Sequence, residues 1–247
     1  FLSINMKQLN YLSLLYVNII AILLIHSTTA HGDDDHYTQE DIDREINNSV
    51  ITYGSALRIE NNLSKYHLYS NKYTWGTGSQ LQIITGLKNK DDPNGIWVIK
   101  EKHNETMKET GVPVLCGDII RLEHSNTGKN LHSHSFKSWI TDSQEACGFG
   151  NDGFGDVNDN FRIMCYNTKE KTFMGSTHFF LQHIGTGNYL YINIKTSLFD
   201  ERNCRNCPIM YQREVSLTST KDKQCLWKVT GGLIFKEKEE LTESEYE

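Results

Sequence analysis

Leu131-His132-Ser133-His134 sets two histidines two positions apart. Side chains alternate faces along a strand, so such a pair projects from one face, and two imidazoles on one face suit a transition metal. A third ligand is not evident in the neighbouring sequence; His124, across a hairpin, is the one candidate within reach. The pair is therefore read as hydrogen-bonding histidines beside a turn, and no metal centre is predicted. Asp152 to Asn160 is rich in oxygen ligands, and Asp156-x-Asn158-x-Asn160 starts like a calcium loop. Such loops need glycine at the sixth position and a bidentate acid at the twelfth. Here those positions hold Phe161 and Asn167, so the run is read as an acidic surface loop. Cys204-Arg205-Asn206-Cys207 is a CxxC flanked by Asp200-Glu201-Arg202-Asn203 and Pro208. Reactive CxxC motifs gain a low thiol pKa at the start of a helix, whereas this one is bounded by loop residues. A structural disulfide is predicted, between these two cysteines or from one of them to Cys225. A zinc site adding Cys225 and Cys147 is the weaker reading, because zinc ribbons use paired knuckles. The chain has no Gly-x-Ser-x-Gly, no His-Glu-x-x-His and no Gly-rich loop ending in Lys-Ser/Thr. Neither catalysis nor a cofactor is expected.

The elements that must position these residues come as a repeated pattern. Leu57-Arg58-Ile59 with Leu68-Tyr69-Ser70-Asn71 is followed by Ile120-Arg121-Leu122 with Leu131-His132-Ser133-His134, then by Phe179-Phe180-Leu181 with Leu190-Tyr191-Ile192-Asn193. The spacing from Ile59 to Leu68 recurs from Leu122 to Leu131 and from Leu181 to Leu190. Each segment closes on an aromatic among apolar residues, at Trp97, Phe161 and Trp227. A fixed period of this kind decides architecture before any local motif does. Period-two runs separated by Gly/Asn/Asp/Ser clusters predict an all-β domain of short strands. Three matched units of four strands predict a β-trefoil, a barrel capped by hairpins, in which closure removes exposed sheet edges. Leu68, Leu131, Leu190 and the three aromatics are read as core rather than as a sugar-stacking platform.

The 247-residue chain carries a formal net charge of −6, which argues against non-specific nucleic-acid binding. Residues 1–30 read as a secretory signal peptide starting at Met6: Lys7, a mostly apolar Tyr11 to Ile25, then Thr28-Thr29-Ala30. The apolar run is about fifteen residues, short of the roughly twenty that span a bilayer, so no membrane span is expected after cleavage. An acidic linker over 31–48 is predicted, in which a short helix over 39–47 has too little apolar surface to persist unless docked. The domain is placed at 49–235, with units about 49–103, 111–166 and 172–230, followed by a flexible acidic tail over 236–247. Secretory entry makes six cysteines an expected source of disulfides. Asn47, Asn62 and Asn104 head glycosylation sequons.

Several strings then add up: Val50 to Ser55, Gly76-Thr77-Gly78-Ser79-Gln80, Ile84-Thr85-Gly86, Cys116-Gly117-Asp118, His124-x-Asn126-Thr127-Gly128-Lys129-Asn130-Leu131-His132-Ser133-His134, Gln144-Glu145 and Phe149-Gly150. In this order they resemble the stromal cell-derived factor 2 family over about residues 49–235, with Gly128 to His134 the most specific stretch. The resemblance implies a β-trefoil of three MIR repeats without known catalytic activity. It also implies partners: a DnaJ-type co-chaperone of the endoplasmic reticulum (ER) lumen, the ER heat-shock-70 class chaperone and unfolded clients. Asn130, His132 and His134 are the binding candidates. Cys116 and Cys165 match family cysteines bracketing the second repeat, which implies a disulfide between them; Cys147, Cys204, Cys207 and Cys225 lie outside that pattern. The expected location is the ER lumen or the cell exterior, since Ser244-Glu245-Tyr246-Glu247 is not a retrieval signal. The alternatives are a lectin-like trefoil that binds glycans or glycoproteins, and an accessory factor of protein O-mannosylation.

Overall fold

A computed structural model describes residues 38–238. The signal-peptide segment, residues 31–37 of the linker and residues 239–247 of the tail lie outside the described residues. An α-helix, α1 (Gln39–Asn48), is followed by thirteen strands: β1 (Ala56–Asn61), β2 (His67–Thr74), β3 (Gln82–Leu87), β4 (Ile96–Glu101), β5 (Ile119–His124), β6 (Lys129–Lys137), β7 (Gln144–Phe149), β8 (Phe161–Cys165), β9 (Phe179–His183), β10 (Tyr189–Tyr191), β11 (Arg213–Glu214), β12 (Ser216–Thr218) and β13 (Trp227–Leu233). The fold is all-β apart from α1 and short 3-10 turns.

Six strands close on themselves, each antiparallel to the next. The circuit runs β1, β4, β5, β8, β9, β13 and back to β1, through pairs such as Leu57–Trp97, Ile99–Leu122, Ile120–Phe161, Ile163–Leu181, Trp227–Phe179 and Ile59–Val229. Such a ring has no free edge for another chain to join. Three further pairs, β2–β3, β6–β7 and β10–β12, are joined to one another by β3–β7, β7–β12 and β3–β11 contacts. The period-two pattern explains the ring: β1 and β4 alternate buried and half-buried positions along their whole length. Leu68, Leu131, Leu190, Trp97, Phe161 and Trp227 are all fully buried, each contributing about 1.5–3 kcal/mol before entropy is subtracted. Trp97 Nε1 donates to Leu68 O, and Trp227 Nε1 to Leu190 O, both at 2.9 Å, so neither indole N–H is stranded in the core. The β5–β6 and β9–β10 turns need left-handed backbone at Gly128 (φ 64°) and Gly187 (φ 75°), which glycine adopts without Cβ strain.

The structure departs from the sequence reading in three places. The strand number is thirteen rather than twelve, because the chain between β10 and β12 makes a long excursion and returns through β11, which pairs with β3. The acidic linker, read as flexible unless a short helix over 39–47 docks, is helical over Gln39–Asn48, and Ile46 docks in the main core. That docking answers the shortage of apolar surface: the helix C-terminal end passes so close to Gly175 that a Cβ there would overlap the Ile46 carbonyl. Residues 236–238 of the predicted tail lie along the barrel, where Lys238 N donates to Gly111 O at 3.0 Å.

Candidate functional site

The histidine pair lies on β6, whose partner β7 runs beside it with His132 opposite Cys147 and Ser133 opposite Ala146. By alternation His132, His134, Glu145 and Cys147 share one face. His132 Nδ1 bonds Asp159 Oδ1 at 2.8 Å. Asp159 is fully buried, and its Oδ2 accepts from Asn130 Nδ2 at 3.1 Å and from Asp156 N at 2.9 Å. The predicted acidic surface loop is thus corrected. Asp156 and Asp159 form a capping box on the 3-10 turn Val157–Asp159, which turns one carboxylate inward. Asn130 also reaches Gly153 O at 3.2 Å, beside Arg121 Nη1 at 2.8 Å from the same oxygen.

His134 Nε2 lies 3.5 Å from Glu145 Oε1 and 3.5 Å from Cys147 Sγ. Burial first, and the neighbouring His132 second, hold the His134 imidazole below its usual range; burial pushes the Cys147 thiol well up. The Glu145 carboxylate accepts from Ser79 Oγ and from Ser79 N. Carboxylate and thiol meet the same ring nitrogen. A nucleophile–base–acid relay would place them on opposite nitrogens, so this cluster is not arranged as one. One ligand atom from each of His132, His134 and Cys147 lies within 4.8 Å of the others. His124, the third ligand considered from sequence, is elsewhere: its Nδ1 faces Thr127 Oγ1 at 2.8 Å and its Nε2 Asn94 O at 2.9 Å. His183 repeats this with Thr186 Oγ1 and Asn158 O, both at 3.0 Å. Sequence reasoning missed Asp159, and it noted Glu145 without a role. The signal for Glu145 and Cys147 was their own two-residue spacing on the strand facing His-x-His.

Corresponding positions in the other two segments differ in chemistry. Where β6 has Asn130 and His132, β2 has His67 and Tyr69, and β10 has Tyr189 and Tyr191. Asp159 is matched by Gly95 and Cys225. Cys225 packs among Phe180, Tyr191 and Leu226, and its thiol donates to Thr220 O at 3.4 Å. Cys225 is therefore corrected from disulfide candidate to buried free thiol, its pKa pushed up to about 11 chiefly by burial. The disulfides are Cys116–Cys165, with Cα atoms 5.5 Å apart, and Cys204–Cys207, at 5.3 Å. Of the sequons, Asn47 and Asn104 are exposed and Asn62 is half-buried.

Two further features stand apart. Under α1 a cavity of about 330 Å3 is lined by Glu60, His67, His178, Lys228 and Thr230, and Thr230 Oγ1 is buried there without a hydrogen-bond partner. On the β6–β7 hairpin Phe136 and Trp139 are about half exposed, at 48% and 51%. Glu214 anchors that loop: it accepts from Ile140 N at 2.6 Å, Thr141 N at 3.0 Å and Ser138 Oγ at 3.1 Å. No helix among the described residues is long and apolar enough to cross a membrane.

The structure is a closed antiparallel barrel with polar clusters on its outer hairpins, and comparison gives it a class. A MIR-domain family model matches residues 64–234. Stromal cell-derived factor 2 of Mus musculus is 35% identical over 195 residues, 79% of this chain and 87% of the relative. The stromal cell-derived factor 2-like protein of Dictyostelium discoideum is 33% identical over 223 residues, 89% of this chain and 98% of the relative. The crystal structure of the SDF2-like protein from Arabidopsis thaliana matches with a TM-score of 0.70 at 31% identity, covering 77% of this chain and 99% of that one. A protein O-mannosyltransferase complex of S. cerevisiae bound to its sugar donor matches with a TM-score of 0.61 at 22% identity, covering 90% of this chain and 32% of that one, a likeness of fold alone. This chain is a MIR-domain protein. It belongs to the stromal cell-derived factor 2 family.

Proposed function

We propose that this chain is a non-enzymatic binding protein of the secretory pathway, a β-trefoil of three MIR repeats. It assists folding and quality control in the ER lumen together with a DnaJ-type co-chaperone and the heat-shock-70 class chaperone. The observation that carries this reading is the relation to stromal cell-derived factor 2 over 79% of the chain. The surface supports it. The repeated residues are spent on core, and half-exposed Phe136 near the end of β6 stands beside half-exposed Trp139 on the following loop, which Glu214 holds, limiting the entropy lost when a partner covers them. Titration of the purified chain with a purified lumenal DnaJ-type co-chaperone is expected to give a saturable complex. Trp139→Ala should weaken it by about 2 kcal/mol, a hot-spot magnitude. No complex at high concentration, with or without the heat-shock-70 partner, would overturn the reading.

The cavity under α1 favours a second reading, recognition of a glycan or glycoprotein. Its carboxylate, imidazole, ammonium and hydroxyl groups match the hydrogen-bonding needs of a sugar. A glycan array carries this test; binding that His67→Ala leaves unchanged would remove the cavity from it.

A further inference from the structure

We propose that His132, His134 and Cys147 bind one Zn2+ ion between β6 and β7; one ligand atom from each lies within 4.8 Å of the others. His132 lies directly opposite Cys147 across the β6–β7 ribbon, and His134 follows two residues on, where the register shifts after Ser133. Two imidazole nitrogens and a thiolate sulfur are donor types that tetrahedral zinc takes. Zn–N bonds of about 2.0–2.1 Å and Zn–S bonds of about 2.3 Å require N···S edges of about 3.5 Å in a tetrahedron. The His134 Nε2 to Cys147 Sγ distance is 3.5 Å.

The outer groups fit a metal centre as well. His132 Nδ1 is committed to Asp159 at 2.8 Å, which leaves Nε2 as the nitrogen free to coordinate. A carboxylate that holds the far side of a ligating histidine fixes its tautomer and raises its basicity. Asp159 is itself immobilised by Asn130 and by the Asp156 N–H. His132, Glu145 and Cys147 are nearly fully buried, and the His134 side chain, 20% exposed, gives the entry path. As the Sγ–metal bond forms, the Cys147 thiol releases one proton to solvent; both imidazoles bind as neutral ligands.

Co2+ is the spectroscopic probe, added to the purified full chain, with Zn2+ as competitor. One equivalent of Co2+ should produce tetrahedral ligand-field bands and a thiolate-to-metal charge-transfer band, displaced by one equivalent of Zn2+. Zn2+ should also raise the melting temperature in proportion to log concentration above its Kd. Cys147→Ser should remove the charge-transfer band. His134→Gln, at the most exposed ligand, should weaken Zn2+ by more than the roughly 10–100-fold that loss of an outer-shell partner costs. Cys225→Ser should change neither. Melting of the metal-free variants shows whether they are folded, and His134→Gln decides the matter if Cys147→Ser is not. The absence of a charge-transfer band in the unmodified protein overturns the assignment, as does a band or Zn2+ shift that survives both ligand substitutions.

Discussion

Asp159 shows how much one side chain decides in this molecule. Its two oxygens satisfy His132, Asn130 and the start of a 3-10 turn at once, and it is fully buried. Removing one partner of such a set leaves the others desolvated and unpaired. Asp159→Ala is therefore expected to cost about 3–5 kcal/mol. Urea unfolding should show the midpoint falling with an unchanged m-value; a loss below about 1 kcal/mol would mean that the network carries little. From sequence, His132 and His134 were legible as a pair because alternation along a strand needs no tertiary information. Asp159 was not, because an acid among Asp152, Asp156 and their neighbours reads as solvated until the capping box turns it inward.

At the level of elements, α1 is the part whose presence sequence makes marginal. Its ten residues are too few to hold a helix in water alone, and only Ile46 among them is buried. Docking depends on the close approach of the helix end to Gly175. Gly175→Ala forces a backbone shift and is expected to cost about 1–3 kcal/mol. Hydrogen exchange should report the loss at 39–48 first, with the barrel strands retaining protection. Equal loss of protection throughout would mean that helix and barrel unfold as one unit. The excursion between β10 and β12 is the second such case. Cys204–Cys207 was visible as a CxxC pair, but its choice of partner was open until the chain path left Cys225 among Phe180, Tyr191 and Leu226.

For the molecule as a whole, closing the barrel buries polar groups whose charge state then governs acid stability. His124 and His183 each face a threonine hydroxyl and a backbone carbonyl in the neutral form. Burial is the main reason both are held below the ordinary value of 6.5; the carbonyl contacts oppose it. A depressed folded-state pKa means that the unfolded chain binds protons first. The contribution is present in full above about pH 6.5 and is lost as pH falls toward the folded values, by up to about 1.4 kcal/mol per pH unit for each histidine. Urea unfolding from pH 7 to pH 5 should show stability falling. His124→Asn, which places at that position the residue that Asn61 supplies in the first segment, should make the slope shallower. Constant stability across that range would contradict the assignment.

What the sequence alone determined is the part that rests on local spacing: an all-β chain, inward-facing Leu57, Ile59, Trp97 and their counterparts, turns at Gly128 and Gly187, and a histidine pair on one strand face. Those follow from alternation and turn chemistry, which neighbouring residues dictate. The tertiary structure decided what depends on closure and on residues far apart in the chain. It placed Cys147 opposite His132 and Glu145 beside His134, turned Asp159 inward behind them, docked α1 on the barrel and left Cys225 without a disulfide partner. β6 and β7 form a hairpin outside the six-strand ring, and its pairing, with the shift after Ser133, decides which residues of the two strands meet, so no reading of either strand by itself could have brought those four side chains together.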